Sequence, residues 1–509
     1  MPQCVHILRK DLREQRAAVA AFVSLVVVLS WLDAMPAESS RLTNFLTVLP
    51  AFLIYFGAIV LVALVVQADP LVDDRAYWLV RPYSRRQLFA AKALFILLTI
   101  NLPILLSQAV VLAVNGLAPW HWTGDLLARQ LILTLSTILF SLALAATTKG
   151  LGQFIFVSLG LFVMGIVINS TLRSDGLSAN AWSQLQWVNT SASLLVDCVL
   201  LTGALLWLYR RRRVRLAIAL IAIDALLVPF VFTYLPTWSQ AFPVQAMFSP
   251  RLADASLVRL ELATGEPPKD AFPLGVSSTA GQVELRLPVT ISAALPDVDA
   301  LLDRFHVAIA DAGGVRWESE WMPTPLAVPD GDKLWLRILM DQEIYDALKA
   351  GPVRLSVSAA LTVYRRTGTE HVPAEPGVYR LRGGGDCVRY GSKAEVACRW
   401  PIHKPAAICA PKPGGTVARL QSEQPCFVLD AFQAPLPADF NLSVWDRFAP
   451  SGIRRDRVVS DLVYWEISGY ALREASLEGV DLSRFEAGRG AGRPISRWPV
   501  VEFLRSLLR

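Results

Sequence analysis

Histidine is scarce in this 509-residue chain. His6, His121, His306, His371 and His403 are scattered, with no His-Glu-x-x-His or other paired spacing from which a metal centre is built. His306 lies in the alternating run Phe-His-Val-Ala-Ile-Ala and reads as a strand residue. No Gly-x-Ser-x-Gly elbow offers a nucleophile. A phosphate loop is missing too. The nearest lookalike, Gly385-Asp-Cys-Val-Arg-Tyr-Gly391-Ser392-Lys393, has the wrong spacing and order for amides that cradle a nucleotide. These absences predict a chain without catalytic residues, metal or cofactor. Charge is also thin. Only 18% of residues are charged against 53% apolar, and a mean hydropathy of +0.41 excludes an ordinary soluble protein.

The apolarity is concentrated before Thr237. Seven runs there are candidates to cross the roughly 30 Å hydrocarbon core of a bilayer: Ala17–Leu32, Phe45–Gln67, Ala93–Val114, Leu131–Thr147, Leu151–Thr171, Ser191–Tyr209 and Leu216–Leu235. The first and fourth are short, and the first is expected to be a retained anchor rather than a cleaved signal peptide. Basic residues distribute unevenly between the connections. One set holds Arg9, Lys10, Arg13, Arg16, Arg75, Arg81, Arg85, Arg86, Lys92, Lys149, Arg210 to Arg213 and Arg215, and the other holds only Arg41, Arg129 and Arg173. The positive-inside rule then expects a cytoplasmic N-terminus and places everything after Leu235 outside. The short turn Thr148–Gly150 is decisive, because merging its two flanking runs would bring the C-terminal part inside. The net charge of +6 comes partly from these arginines, so no nucleic-acid partner is needed to account for it.

Residues 1–16 read as an amphipathic interfacial helix, with Val5, Leu8 and Leu12 on one face. Residues 17–236 form the expected transmembrane domain, interrupted by a polar loop at 68–92. In that loop Asp69-Pro70 stops a helix. Asp73 suits the start of a short helix, Trp78 suits the headgroup level or a protein groove, and Arg81-Pro82 breaks the element before Ser84 caps the next. The run DPLVDDRAYWLVRPYSRRQLFAAKALF resembles permease subunits of bacterial ABC transporters of the type-2, exporter-like class, and the N-terminal ILRKDLRE is similar to the start of such subunits. The matching positions are Asp69, Pro70, Asp73, Arg75, Trp78, Arg81, Pro82, Ser84, Arg85, Arg86 and Lys92. In that class the equivalent loop carries the coupling helix that docks on the ATPase. The resemblance therefore implies an ATPase-docking loop built from Asp69, Asp73, Arg75, Trp78, Arg81, Pro82, Arg85 and Arg86. The class usually has six spans; a seventh and a large outer domain are additions here.

Two acids, Asp197 and Asp224, fall inside expected spans, where charged groups usually face a bundle interior or a water cavity. They make a candidate intramembrane polar site, with Ser191, Ser193 and Thr202 as neighbouring hydroxyls. Residues 237–495 alternate as strands do, with turn clusters at Pro329-Asp-Gly-Asp and Gly383-Gly-Gly-Asp, and predict a mainly β, sandwich-like extracytoplasmic domain. Two helices are expected within it, at Asp297–Arg304 and Gln342–Ala350. Residues 496–509 read as a basic amphipathic tail. Of the six cysteines, Cys387, Cys398, Cys409 and Cys426 lie in this half, an even number on an oxidising side, and disulfides are expected in any of three pairings. Zinc has no Cys-x-x-Cys spacing in its favour.

Two function classes follow. One is the permease subunit of an ABC transporter in a bacterial inner membrane, driven by a separate ATPase. The other is a non-transporting anchor that presents a β interaction domain outside. The expected partners are the ATPase subunit, the lipid bilayer, and either a second copy of this chain or a second permease subunit.

Overall fold

The computed structural model describes residues 2–34, 41–69, 85–174, 186–211, 213–234, 238–247, 252–265, 281–313, 316–323, 327–330, 333–371, 375, 377–380, 386–389, 396–401, 406–409, 426–428, 445–448 and 461–489. The chain divides into two compact units. The first comprises 1–248, 370–406 and 427–462, and the second comprises 249–369, 407–426 and 463–509.

Helices occur at all seven expected apolar runs. After α1 (Pro2–Glu14) come α2 (Arg16–Ala34) and α3 (Arg41–Gln67). α4 (Arg85–Ile96) passes through a π-helical turn at Leu97–Asn101 into α5 (Leu102–Val114). α6 (Thr123–Ile132) likewise passes through Leu133–Ile138 into α7 (Leu139–Thr147). α8 (Leu151–Ser174), α9 (Gln186–Arg211), α10 (Val214–Tyr234) and the short α11 (Trp238–Ala246) complete the series. Five helical stretches among the described residues are long and apolar enough to cross a membrane: Arg16–Ala34, Arg86–Val114, Pro119–Thr147, Val188–Arg211 and Val214–Val231. Phe52–Gln67 and Leu151–Met164 are shorter apolar runs. α7 and α8 are separate helices, because Thr148 between them is extended.

α7 packs against α3, α9 and α10, and its residues Ser141 to Thr147 are all buried. Ala143, Ala145 and Ala146 explain this position, since small side chains let neighbouring backbones approach where lipid gives no hydrophobic drive between helices. Outward faces carry large apolar residues such as Phe156, Leu195 and Val199, as a lipid-facing surface requires. The fourth run begins earlier than expected. Arg129 looks like a loop residue in the sequence, yet it lies inside α6 and is fully buried. A guanidinium enclosed by protein does not end a span as a solvent-facing one would.

The second unit opens with α12 (Leu252–Ser256) and β1 (Val258–Leu262), followed by β2 (Gln282–Ala293), β3 (Val298–Asp311), β4 (Arg316–Glu318), β5 (Met322–Pro323), β6 (Ala327–Asp330) and β7 (Lys333–Asp341). α13 (Gln342–Leu348) and the 19-residue β8 (Val353–His371) come next. Later strands are β9 (Gly377–Arg380), β10 (Asp386–Arg389), β11 (Val396–Pro401), β12 (Ala406–Cys409), β13 (Cys426–Val428), β14 (Trp445–Phe448), β15 (Asp461–Val480) and β16 (Glu486–Arg489). One sheet has the order β1-β2-β7-β6 with β16 also on β2, and another runs β13-β12-β15-β8-β3-β4 with β5 also on β3. Both feed a single hydrophobic core. Val283, Leu285, Leu287 and Val289 of β2 and Leu336 and Ile338 of β7 meet Val307 and Ile309 of β3 and Val357 and Leu361 of β8. Every second residue turns inward, so the two sheets form a sandwich. A bidentate pair, Arg365 Nε to Asp254 Oδ2 at 3.0 Å and Nη2 to Oδ1 at 2.7 Å, fastens α12 to β8. The four strands β14-β11-β10-β9 make a separate sheet in the first unit.

Gln342–Leu348 is helical as expected, but Asp297–Arg304 is not. It forms the start of β3, with Val298, Ala300 and Leu302 buried and paired against Arg365, Val363 and Leu361 of β8. Its Asp, Ala and Leu content suits a helix, while its two-residue alternation suits a strand, and the long antiparallel partner decides the matter. The expected tail at 496–509 lies outside the described residues.

Candidate functional site

The central loop is anchored by a buried cluster of charges. Lys92, on the first turns of α4, donates from Nζ to Asp11 Oδ2 at 2.9 Å and to Asp69 Oδ2 at 2.8 Å. Lys10 reaches the other oxygen of Asp69 at 3.3 Å. The Lys92 side chain is 2% exposed and that of Asp69 12%, while Asp11 is wholly enclosed. Asp69 follows the end of α3, Lys92 belongs to α4, and Lys10 and Asp11 sit on α1. The cluster thus joins the N-terminal helix to both ends of the loop. Two ammonium groups balance two carboxylates, the condition under which such burial is tolerated.

The amphipathic pattern of α1 follows from this arrangement. Leu8 enters the main helical core, and Ile7 packs with Leu88 and Ala91 of α4. Val5 is exposed, although the sequence pattern groups it with Leu8. Rotating α1 to bring Asp11 onto Lys92 fixes which residues face inward. Asp11 is raised above the ordinary carboxylate range because burial outweighs its attraction to Lys92, and its Oδ1 has no hydrogen-bond partner among the described residues. Burial also pushes Asp69 upward, but Lys92 and then Lys10 more than offset it and hold this carboxyl below the ordinary range.

Other contacts gather at this end of the bundle. Gln67 Nε2 donates to Thr148 Oγ1 at 3.0 Å, tying the end of α3 to the turn before α8. The rings of Phe89 on α4 and Tyr209 on α9 meet edge to face at 5.3 Å. The Arg211 and Arg213 guanidinium groups lie over Trp207 at 4.7 and 5.7 Å. Several of the basic residues grouped by the charge asymmetry are therefore neighbours in space.

Of the residues expected to form the docking loop, Asp69 belongs to the cluster, Arg85 starts α4 and Arg86 is exposed on it. Asp73, Arg75, Trp78, Arg81 and Pro82 lie outside the described residues. Asp197 and Asp224 do come near each other: both are buried, on α9 and α10, which pack along one another, and each acts electrostatically on the other. The hydroxyl of Thr202 does not serve them, since that residue is exposed, and Ser193 Oγ is buried without a partner. His306 is a strand residue on β3, its ring tilted against Trp321 at 5.6 Å. No group of three or more metal-ligating side chains occurs among the described residues.

Sequence reasoning missed Asp11 as a partner of Lys92, although it sits in the ILRKDLRE segment. It also missed a polar seam between two π-helical turns. Asn101 Nδ2 donates to Thr134 Oγ1 at 2.7 Å, and elsewhere the hydroxyls of Ser30 on α2 and Ser107 on α5 meet at 2.6 Å. Such turns in long helices often mark functional positions. No protein family, curated protein or solved structure matches this chain.

Proposed function

We propose that the protein is a membrane-embedded permease subunit whose central loop docks on a separate ATPase, so that nucleotide-driven movement of the partner is delivered to the helical bundle. The observation that carries this reading is the Lys92 cluster. Because Lys92 bridges Asp69 and Asp11, force applied to the loop reaches α1, α3 and α4 together rather than bending a loose connection. An anchor for an outer domain has no need of such a brace. The reading also takes all seven helical runs as crossings, with the arginine-rich end of the bundle in the cytoplasm of a bacterial inner membrane and the sandwich outside.

The four late cysteines fit the oxidising side. Cys387 on β10 is buried and stands directly opposite Cys398 on β11, and β12, which ends at Cys409, neighbours β13, which begins at Cys426. Directly opposed residues of an antiparallel pair bring their Cβ atoms close. We take Cys387–Cys398 and Cys409–Cys426 as the bridges.

The test is co-purification with a candidate ATPase subunit expressed alongside. Trp78→Ala and Arg81→Glu should weaken capture of that subunit and its stimulation while membrane insertion is retained. Undiminished capture and stimulation in both variants would leave the anchor as the better reading.

A further inference from the structure

We propose that Asp197 and Asp224 form a proton-binding site inside the helical bundle, the two carboxyls sharing a proton between α9 and α10. The inference uses the membrane placement of these helices but not the docking of an ATPase. Asp197 is 7% exposed and Asp224 1%, and each lies in the interior of its apolar run, Val188–Arg211 and Val214–Val231. Both carboxyls are buried on helices that pack along each other and lie within electrostatic reach of one another, and ionised carboxyls only accept hydrogen bonds, so a proton on one of them is what lets them approach. Without it, two like charges would face each other in a medium that screens them poorly.

Among the described residues the elements packed on α9 and α10 supply no counter-charge within their apolar middles. Among the described residues neither acid belongs to a salt bridge. α7, α11 and the π-helical turn Leu133–Ile138, which pack on α9 or α10, contain no titratable side chain. α8 carries only Arg173, near its far end. On α9 and α10 themselves the other titratable groups are Cys198, next to Asp197, then Tyr209, Arg210, Arg211 and Arg215 at the arginine-rich end, and Tyr234 at the opposite end. A second observation points to a ligand. Ser193 Oγ is buried with no hydrogen-bond partner, and it sits one turn before Asp197 on the same helix face, the direction in which helical side chains lean. Asp224 Oδ1 is also unpartnered. The pair therefore has an acceptor and a hydroxyl left over with which to pass a proton on.

The full chain in lipid nanodiscs would be treated with dicyclohexylcarbodiimide, which reacts with protonated carboxyls in apolar surroundings, and mapped by peptide mass spectrometry. An adduct on Asp197 or Asp224 is expected at neutral pH. It should fall as pH rises and vanish in the Asp197→Asn/Asp224→Asn double variant. Infrared spectra should lose a protonated-carboxyl band in the same variant. Should the asparagine variant fail to fold, Asp197→Glu and Asp224→Glu keep the carboxyl and should still be labelled. Absence of both adduct and band in the wild-type protein would overturn the proposal. Protection by sodium or calcium with no response to pH would overturn it equally, by showing a metal cation in place of the proton. Neither result bears on capture of an ATPase by the central loop, so the two readings fail separately.

Discussion

Lys92 Nζ lies 2.8 Å from Asp69 Oδ2, and this contact joins the two ends of the central loop. It closes a 23-residue separation in sequence and does so where water is nearly excluded. Asp11 completes the arrangement from a helix that the chain lays down first.

Removing the cation should be the most damaging single change at this end of the bundle. Lys92→Met leaves the enclosed Asp11 without its cation and Asp69 with Lys10 alone, and breaking a buried pair in this way costs about 3–5 kcal/mol. Thermal unfolding in detergent would measure it. Adding Asp11→Asn to Lys92→Met should recover part of the loss, and a double variant no better than the single one would show that the charges are not coupled.

Acid should loosen α1 through Asp69. The sign follows from its depressed value. A carboxyl held below its unfolded value of about 3.9 contributes stability above that pH and loses it as pH falls through the lower folded value. Asp11, raised by burial, acts in the opposite sense, its contribution being complete at low pH and lost as pH rises through its folded value. The protection factors of α1 amides in an Asp11→Asn background, corrected for the intrinsic pH dependence of exchange, should therefore fall only at acid pH. Protection that is flat with pH would count against the ion cluster as the clamp.

The sandwich should depend on residues shared by its two sheets. Leu336 is 1% exposed and lies in the common core, so Leu336→Ala should destabilise the second unit by about 2–5 kcal/mol. Limited proteolysis of the full chain would read this as earlier cleavage around β7 and β8.

Sidedness can be tested by labelling. Introduced cysteines at Arg212 and Gly313 should react from opposite sides of the membrane, the first from the cytoplasm. Reaction of both from the cytoplasmic side would mean an even number of crossings before the sandwich.

The cysteines give a chemical prediction. Peptide mapping without reduction should join Cys387 to Cys398 and Cys409 to Cys426, while Cys4 and Cys198 alkylate freely. Each bridge should add roughly 2–4 kcal/mol, mainly by restricting the unfolded chain. Alkylation of all six in the native protein would remove the bridges and weaken the outside placement of this region.

Apolar runs, the polar loop between two of them and the alternating strands could be read directly from residue order. Transfer into hydrocarbon depends on composition over a window, and strand burial on a two-residue period, both local quantities. The position of Arg129 shows the limit of that reading. A charge normally ends a span, and only the packing of α6 shows that this one is enclosed. Asp297–Arg304 shows the same limit in the soluble part, where β8 imposes a strand on residues of mixed propensity.

By itself, then, the sequence determined the class of the protein, the helical half ahead of the β half, and the asymmetry of basic charge, because each is set by residues near one another along the chain. Only the tertiary structure decided that Lys92 holds Asp11 and Asp69, that Asp197 and Asp224 are buried on helices packed along each other, and that Val5 faces away while Asp11 turns inward. These contacts join separate helices, up to 81 positions apart for Lys92 and Asp11, and no local period encodes which buried charge will find which partner.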